Sequence, residues 1–94
     1  MMITGTCIVY LQADWVCSLK EKRMIVKSII EKIKHKFNVS VAEVDDQDVH
    51  RSVVIGFACV TNEVSHANSI IDNVINFIEK NTDAQIVDTI IEIL

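Results

Sequence analysis

Hydrophobic and polar positions alternate from the start of the chain. Over residues 2–12, Ile3, Gly5, Cys7, Val9 and Leu11 fall on one side, and Thr4, Thr6, Ile8, Tyr10 and Gln12 on the other. A period of two predicts a β-strand with one buried face. The period changes after Ser18, where Leu19, Val26, Ile30, Ile33 and Phe37 recur at helical spacing and form one apolar stripe. Ser18-Leu19-Lys20-Glu21 has the form of a capping box, in which the serine hydroxyl and the glutamate each satisfy an amide that the helix start leaves free. Asn38 suits a left-handed exit from that helix. Residues 39–44 read as a second strand, Asp45-Asp46-Gln47-Asp48 as a polar turn, and the β-branched-rich segment Ser52–Thr61 as a third strand. Asn62 can cap a second helix, with Glu63 near its positive end. Val64, Ala67, Ile71, Val74 and Ile78 line the inner face of that helix, broadened by Ile70 and Phe77. Asn81-Thr82-Asp83 ends it, and residues 84–94 alternate weakly as a last strand.

The resulting order is β-α-β-β-α-β. Right-handed crossovers place both helices on one side of a four-stranded antiparallel sheet. The expected fold is therefore a ferredoxin-like α+β sandwich, a single domain over residues 1–94 with one sheet face bare. The third strand is apolar on both sides: Val53, Ile55, Phe57 and Cys59 against Val54, Gly56, Ala58 and Val60. Ile8 and Tyr10 belong with the side turned away from the helices. An exposed apolar patch marks an interface. Ile8, Tyr10 and Val54 are accordingly expected in a homo-oligomer contact, with a second copy covering the open face or an edge strand.

Composition narrows the function classes. With 94 residues, half of them hydrophobic and 23 % charged, the chain is globular. It has no proline and two glycines, which excludes a linker or low-complexity tract. No apolar run approaches the ~18 residues of a membrane span, and no secretory signal pattern is visible. Cys7, Cys17 and Cys59 are odd in number and lack C-x-x-C spacing, as expected of reduced thiols in a cytoplasmic protein. His35, His50 and His66 are scattered, without zinc-ligand spacing. No P-loop, dinucleotide fingerprint or nucleophile elbow is present. No cofactor, metal or catalytic residue is assigned, and enzymatic activity is not expected.

Charge changes the picture. The formal net charge is −4. Residues 18–36, however, carry seven cations against Glu21 and Glu31, a net of +5, while the remainder carries Arg51 and Lys80 against eleven acids, a net of −9. Lys20, Arg23, Lys27 and Lys34 fall within about 60° on one flank of the first helix and span ~21 Å of its axis. Lys32 and Lys36 lie on the opposite flank, and Lys22 lies nearer the apolar edge. A row of Lys and Arg is what contact with RNA phosphates requires. The competing reading is a solvated helix face, laced by Lys27–Glu31 and Glu31–Lys34 pairs.

Other candidates carry weaker signals. Glu43, Asp45, Asp46 and Asp48 crowd one hairpin beside His50 and could hold Mg²⁺ for a hydrolase. Aspartates are also ordinary turn residues, and the acidic turn could instead pair with the basic helix of a neighbouring subunit. Cys17, just before the first helix, could be a reactive thiol or a plain loop cysteine. Asp14, at the end of the first strand, reads as a catalytic acid or a local cap. Val9-Tyr10-Leu11 and Gly56-Phe57-Ala58-Cys59-Val60 partly imitate an RNA recognition motif, whose outward aromatics stack bases. That reading requires Phe57 to face away from the helices.

Two runs carry a family resemblance. Ser18-Leu19-Lys20-Glu21-Lys22-Arg23 followed by Val26-Lys27-Ser28, and residues 37–45 followed by Gln47-Asp48, resemble the signature of the YlxP-like family of small bacterial proteins. The resemblance covers nearly the whole chain. It implies a ferredoxin-like fold in a family of unknown function. The family's genes commonly lie near those of translation initiation and ribosome-maturation factors, so the resemblance also implies an RNA or ribosome association. Where the family pattern has an aromatic, then Gln and Arg, this chain has His50-Arg51-Ser52.

Overall fold

The computed structural model describes residues 1–94. Its elements are β1 (Ile3–Gln12), α1 (Leu19–Lys36), β2 (Ser40–Asp45), β3 (Ser52–Thr61), α2 (Val64–Asn81) and β4 (Gln85–Ile93). The strands form one antiparallel sheet in the order β2-β3-β1-β4. This is the ferredoxin-like α+β arrangement. The long central pair runs in unbroken register from Ile3 opposite Thr61 to Gln12 opposite Ser52. No helix is long and apolar enough to cross a membrane.

The core lies between the sheet and the helices. Alternate residues Cys7, Val9 and Leu11 of β1 and Val53, Ile55 and Phe57 of β3 meet Val26, Ile29 and Ile33 of α1 and Ile71, Val74 and Ile78 of α2. Each fully buried isoleucine contributes roughly 1.5–3 kcal/mol relative to exposure. At Gly5 there is little room beneath α2: a methyl group there would lie 3.1 Å from both Cys59 Sγ of β3 and Ile71 Cδ1 of α2. Between β1 and α1 the chain is pinned by Arg51. Its carbonyl accepts from the Ala13 amide at 2.9 Å, and its Nε donates to the Val16 carbonyl at 3.2 Å. Ala13 and Val16 are thereby held in the core.

Local details depart from the sequence pattern. The Ser18 hydroxyl accepts from the Glu21 amide at 3.1 Å, which is half of the capping box; Glu21 makes no bond back to Ser18. Asn38 does not make a left-handed exit. Phe37 closes α1 in an extended conformation, with its amide bonded to the Ile33 carbonyl at 2.8 Å and its ring edge-on to Phe77 at 5.4 Å. Held there, the backbone runs straight into β2. Asp46 is the one non-glycine residue with positive φ, at 54°. Asn62 does not cap α2 either. Glu63 occupies the cap position without a side-chain bond, and Thr61 Oγ1 accepts the Glu63 amide at 3.4 Å. Val64 is 51 % exposed, so the inner face of α2 begins at Ala67.

Candidate nucleic-acid interface

The local physics of α1 sets the cations apart. Val26, Ile29 and Ile33 are drawn into the core, which turns Lys20, Arg23, Lys27 and Lys34 outward, all exposed. The expected Lys27–Glu31 and Glu31–Lys34 pairs do not form. The chain holds two ion pairs, Lys22–Glu43 and Arg23–Asp48. The second spans 3.8 Å between side chains that are 64 % and 90 % exposed, too solvated to neutralise Arg23. Lys20, Lys27 and Lys34 have no carboxylate partner. The flank is therefore a row of solvated cations, geometrically open to an anion.

Lys22 departs from this pattern. It is fully buried, on the same stripe as Val26, Ile29 and Ile33. Its ammonium meets Glu43 Oε2 at 2.9 Å, the Val49 carbonyl at 2.8 Å and the Asp46 carbonyl. Three donors thus find three acceptors, which is the condition for burying an ammonium. Glu43 Oε2, itself shielded from solvent, has no partner except this ammonium. Six cations, not seven, are left on the surface of the helix. The missed signal was the spacing 22, 26, 29, 33, which places Lys22 on the core stripe.

The same clasp organises the acidic turn. Glu43 is tied to Lys22, Asp45 Oδ1 accepts from the Asp46 amide at 2.8 Å, and Asp46 Oδ2 accepts from Ser52 Oγ at 2.7 Å. The Asp46 carbonyl also accepts from the Val49 amide at 3.0 Å, closing the turn. No three acidic, histidine or cysteine side chains converge on a point where a cation could sit. These contacts are turn chemistry, with Asp46 in the left-handed conformation that aspartate tolerates.

The remaining candidates separate. Phe57 is 4 % exposed in the core beneath the helices, so the RNA-recognition-motif reading fails: the ring cannot stack a base. Cys17 is exposed, its thiol 3.4 Å from the Trp15 carbonyl. Asp14 is exposed and accepts from Gln12 Nε2 at 2.9 Å. Burial pushes the Cys7 thiol up to about 11.

The open sheet face is partly as expected. Ile8 and Tyr10 are half-buried on it. Val54, paired with Tyr10 and outside both core clusters, is only 2 % exposed and offers a partner almost no surface. The exposed apolar residues are instead Val44, Val60 and Ile90. A bulge between Glu43 and Asp45 turns Val44 over Gly56, where its Cγ1 lies 2.8 Å from the position a Cβ would take.

Fold and helix together define a small ferredoxin-like α+β protein whose first helix displays an unneutralised basic flank. The family model described as Protein of unknown function (DUF503) matches residues 4–91. The chain belongs to this family, to which the YlxP-like signature also points. It is 34 % identical over 73 residues to the uncharacterized protein YlxP of Bacillus subtilis (strain 168), covering 78 % of this chain and 75 % of that one. Among solved structures, the de novo designed protein Foldit4 matches with a TM-score of 0.56 and 14 % identity, covering all of this chain and 97 % of its own. That likeness speaks to the fold alone.

Proposed function

We propose that this protein is a non-enzymatic cytoplasmic factor that associates with RNA or the ribosome through the Lys20, Arg23, Lys27 and Lys34 flank of α1. The observation that carries this reading is the row of exposed cations, three of the four without an ion-pair partner, on a body whose remainder is anionic. Phosphate contact needs surface cations at this spacing and little else, and each contact releases condensed counterions. Electrophoretic binding to a structured RNA at two salt concentrations tests it. With four contacts, log affinity falls with log salt at a slope of about −3. Replacing Lys20, Lys27 and Lys34 by glutamate lowers affinity by at least about tenfold and flattens that slope. Unchanged affinity rules out this surface.

A second reading rests on the open face. Val44, Val60 and Ile90 are 47, 67 and 45 % exposed there, flanked by Ile8 and Tyr10. A second copy of the chain would bury that patch, leaving both basic flanks free. The two readings are compatible, because flank and open face lie on opposite sides of the sheet.

A further inference from the structure

Two depressions lie between α1 and α2 and share Met24, Ser28 and Asn81 along their common rim. They form one continuous groove, from Trp15 at one end to Phe77 and Lys36 at the other. Two large apolar side chains stand exposed along it, Met24 at 66 % and Trp15 at 44 %, with Ile25 half-buried between the helices. Cations dominate the far half, where Lys27, Lys32 and Lys36 face a single acid, Glu31. Lys32 and Lys36 are on the opposite flank from the row assigned to phosphates, and Lys27 is the one cation common to both surfaces.

We infer that the α1–α2 groove is a docking site for an acidic amphipathic helix of a partner protein. A groove between two helices is shaped for a third, whose apolar residues at helical spacing fill it. Exposed Trp and Met are the side chains that anchor protein interfaces. Acidic residues flanking the apolar stripe of the partner would meet Lys27, Lys32 and Lys36. Charge alone would also admit an RNA backbone; the exposed side chains of Met24 and Trp15 beside the cations are what favour a protein helix. The Phe77 ring is packed against Phe37 at near right angles and carries Lys36 Nζ over it at 5.2 Å, so this end of the groove is cationic rather than a bare aromatic platform. The α1 side of the groove runs from Met24 to Lys36, so it matches a partner helix of three to four turns, ~20 Å.

Trp15 is the chain's one tryptophan, so its emission reports occupancy directly. The probes are a synthetic helix of about 18 residues with leucine at i, i+4, i+7 and i+11 and glutamate on both sides, its lysine-for-glutamate analogue, and a uridine oligonucleotide. Expected is a saturable blue shift with the acidic peptide alone. Met24→Glu, and separately Lys32→Glu with Lys36→Glu, weaken it by about tenfold or more. Lys20→Glu with Lys34→Glu leaves it unchanged, although that pair weakens RNA binding if the phosphate reading is right. All are exposed positions, and circular dichroism confirms each variant's fold. Absence of a saturable shift up to about 1 mM peptide overturns the inference. So does equal binding of the basic analogue, or a shift produced by the oligonucleotide and not by the peptide.

Discussion

A single buried lysine connects three segments of the chain. Lys22 on α1 holds Glu43 of β2 and the carbonyls of Asp46 and Val49 in the following turn. Removing one member of such a set leaves a charge or two carbonyls stranded, which costs about 3–5 kcal/mol. Lys22→Met is therefore expected to destabilise the fold by that amount in a urea titration. Adding Glu43→Leu recovers part of the loss, because the stranded carboxylate is then removed while the Val49 carbonyl still lacks its donor. If the single variant is as stable as the parent, the clasp is not structural. Cys7 gives a pH signature. Its thiol is held neutral by burial, with the pKa raised from 9.0 to about 11. The unfolded thiol ionises first, so this contribution is intact below pH 9 and is lost as pH rises toward 11, by at most ~2–3 kcal/mol. Cys7→Ala should flatten the alkaline limb of stability measured by thermal melts.

At the level of elements, α1 is set by its start and by the strand it leads into. The Ser18 hydroxyl supplies one of the helix's missing acceptors. Ser18→Ala is expected to cost about 0.5–2 kcal/mol by chemical denaturation, without altering the exposed flank. Ser18→Asp should retain the cap, since a carboxylate also accepts from that amide. The other end of α1 makes no left-handed exit at Asn38: Phe37 closes it in an extended conformation, with its ring packed on Phe77. Strand and helix spans were nearly all legible in periodicity, because one face of each element is buried. Cap identities were less so, since Thr61, Asn62 and Glu63 all offer cap-competent or dipole-matched side chains, and tertiary placement chooses among them.

For the molecule as a whole, the exposed cations of α1 and the apolar residues of the open sheet face lie on different sides, and the helical side exposes Met24 and Trp15 as well. The helical side carries the unpaired cations, and the open sheet side carries Val44, Val60 and Ile90. If a second copy covers the open face, light scattering at micromolar concentration gives a mass above the 10.6 kDa of one chain. Val60→Lys with Ile90→Lys then returns it to the monomer, whereas Val54→Thr acts on stability rather than on assembly. A strict monomer at those concentrations removes the oligomer reading and leaves the phosphate reading standing.

The sequence by itself determined the order of elements, the buried face of β1, and the position of the basic flank on α1. These follow from local periods of two and 3.6 that no distant contact has to supply. Only the tertiary structure decided that Lys22 leaves the surface, that Phe57 faces the helices, and that Val54 is already covered while Val44 is turned over Gly56. Each of those outcomes depends on what another segment brings to the same place: three acceptors for an ammonium, two helices over one sheet face, and a bulge beside a residue without a side chain.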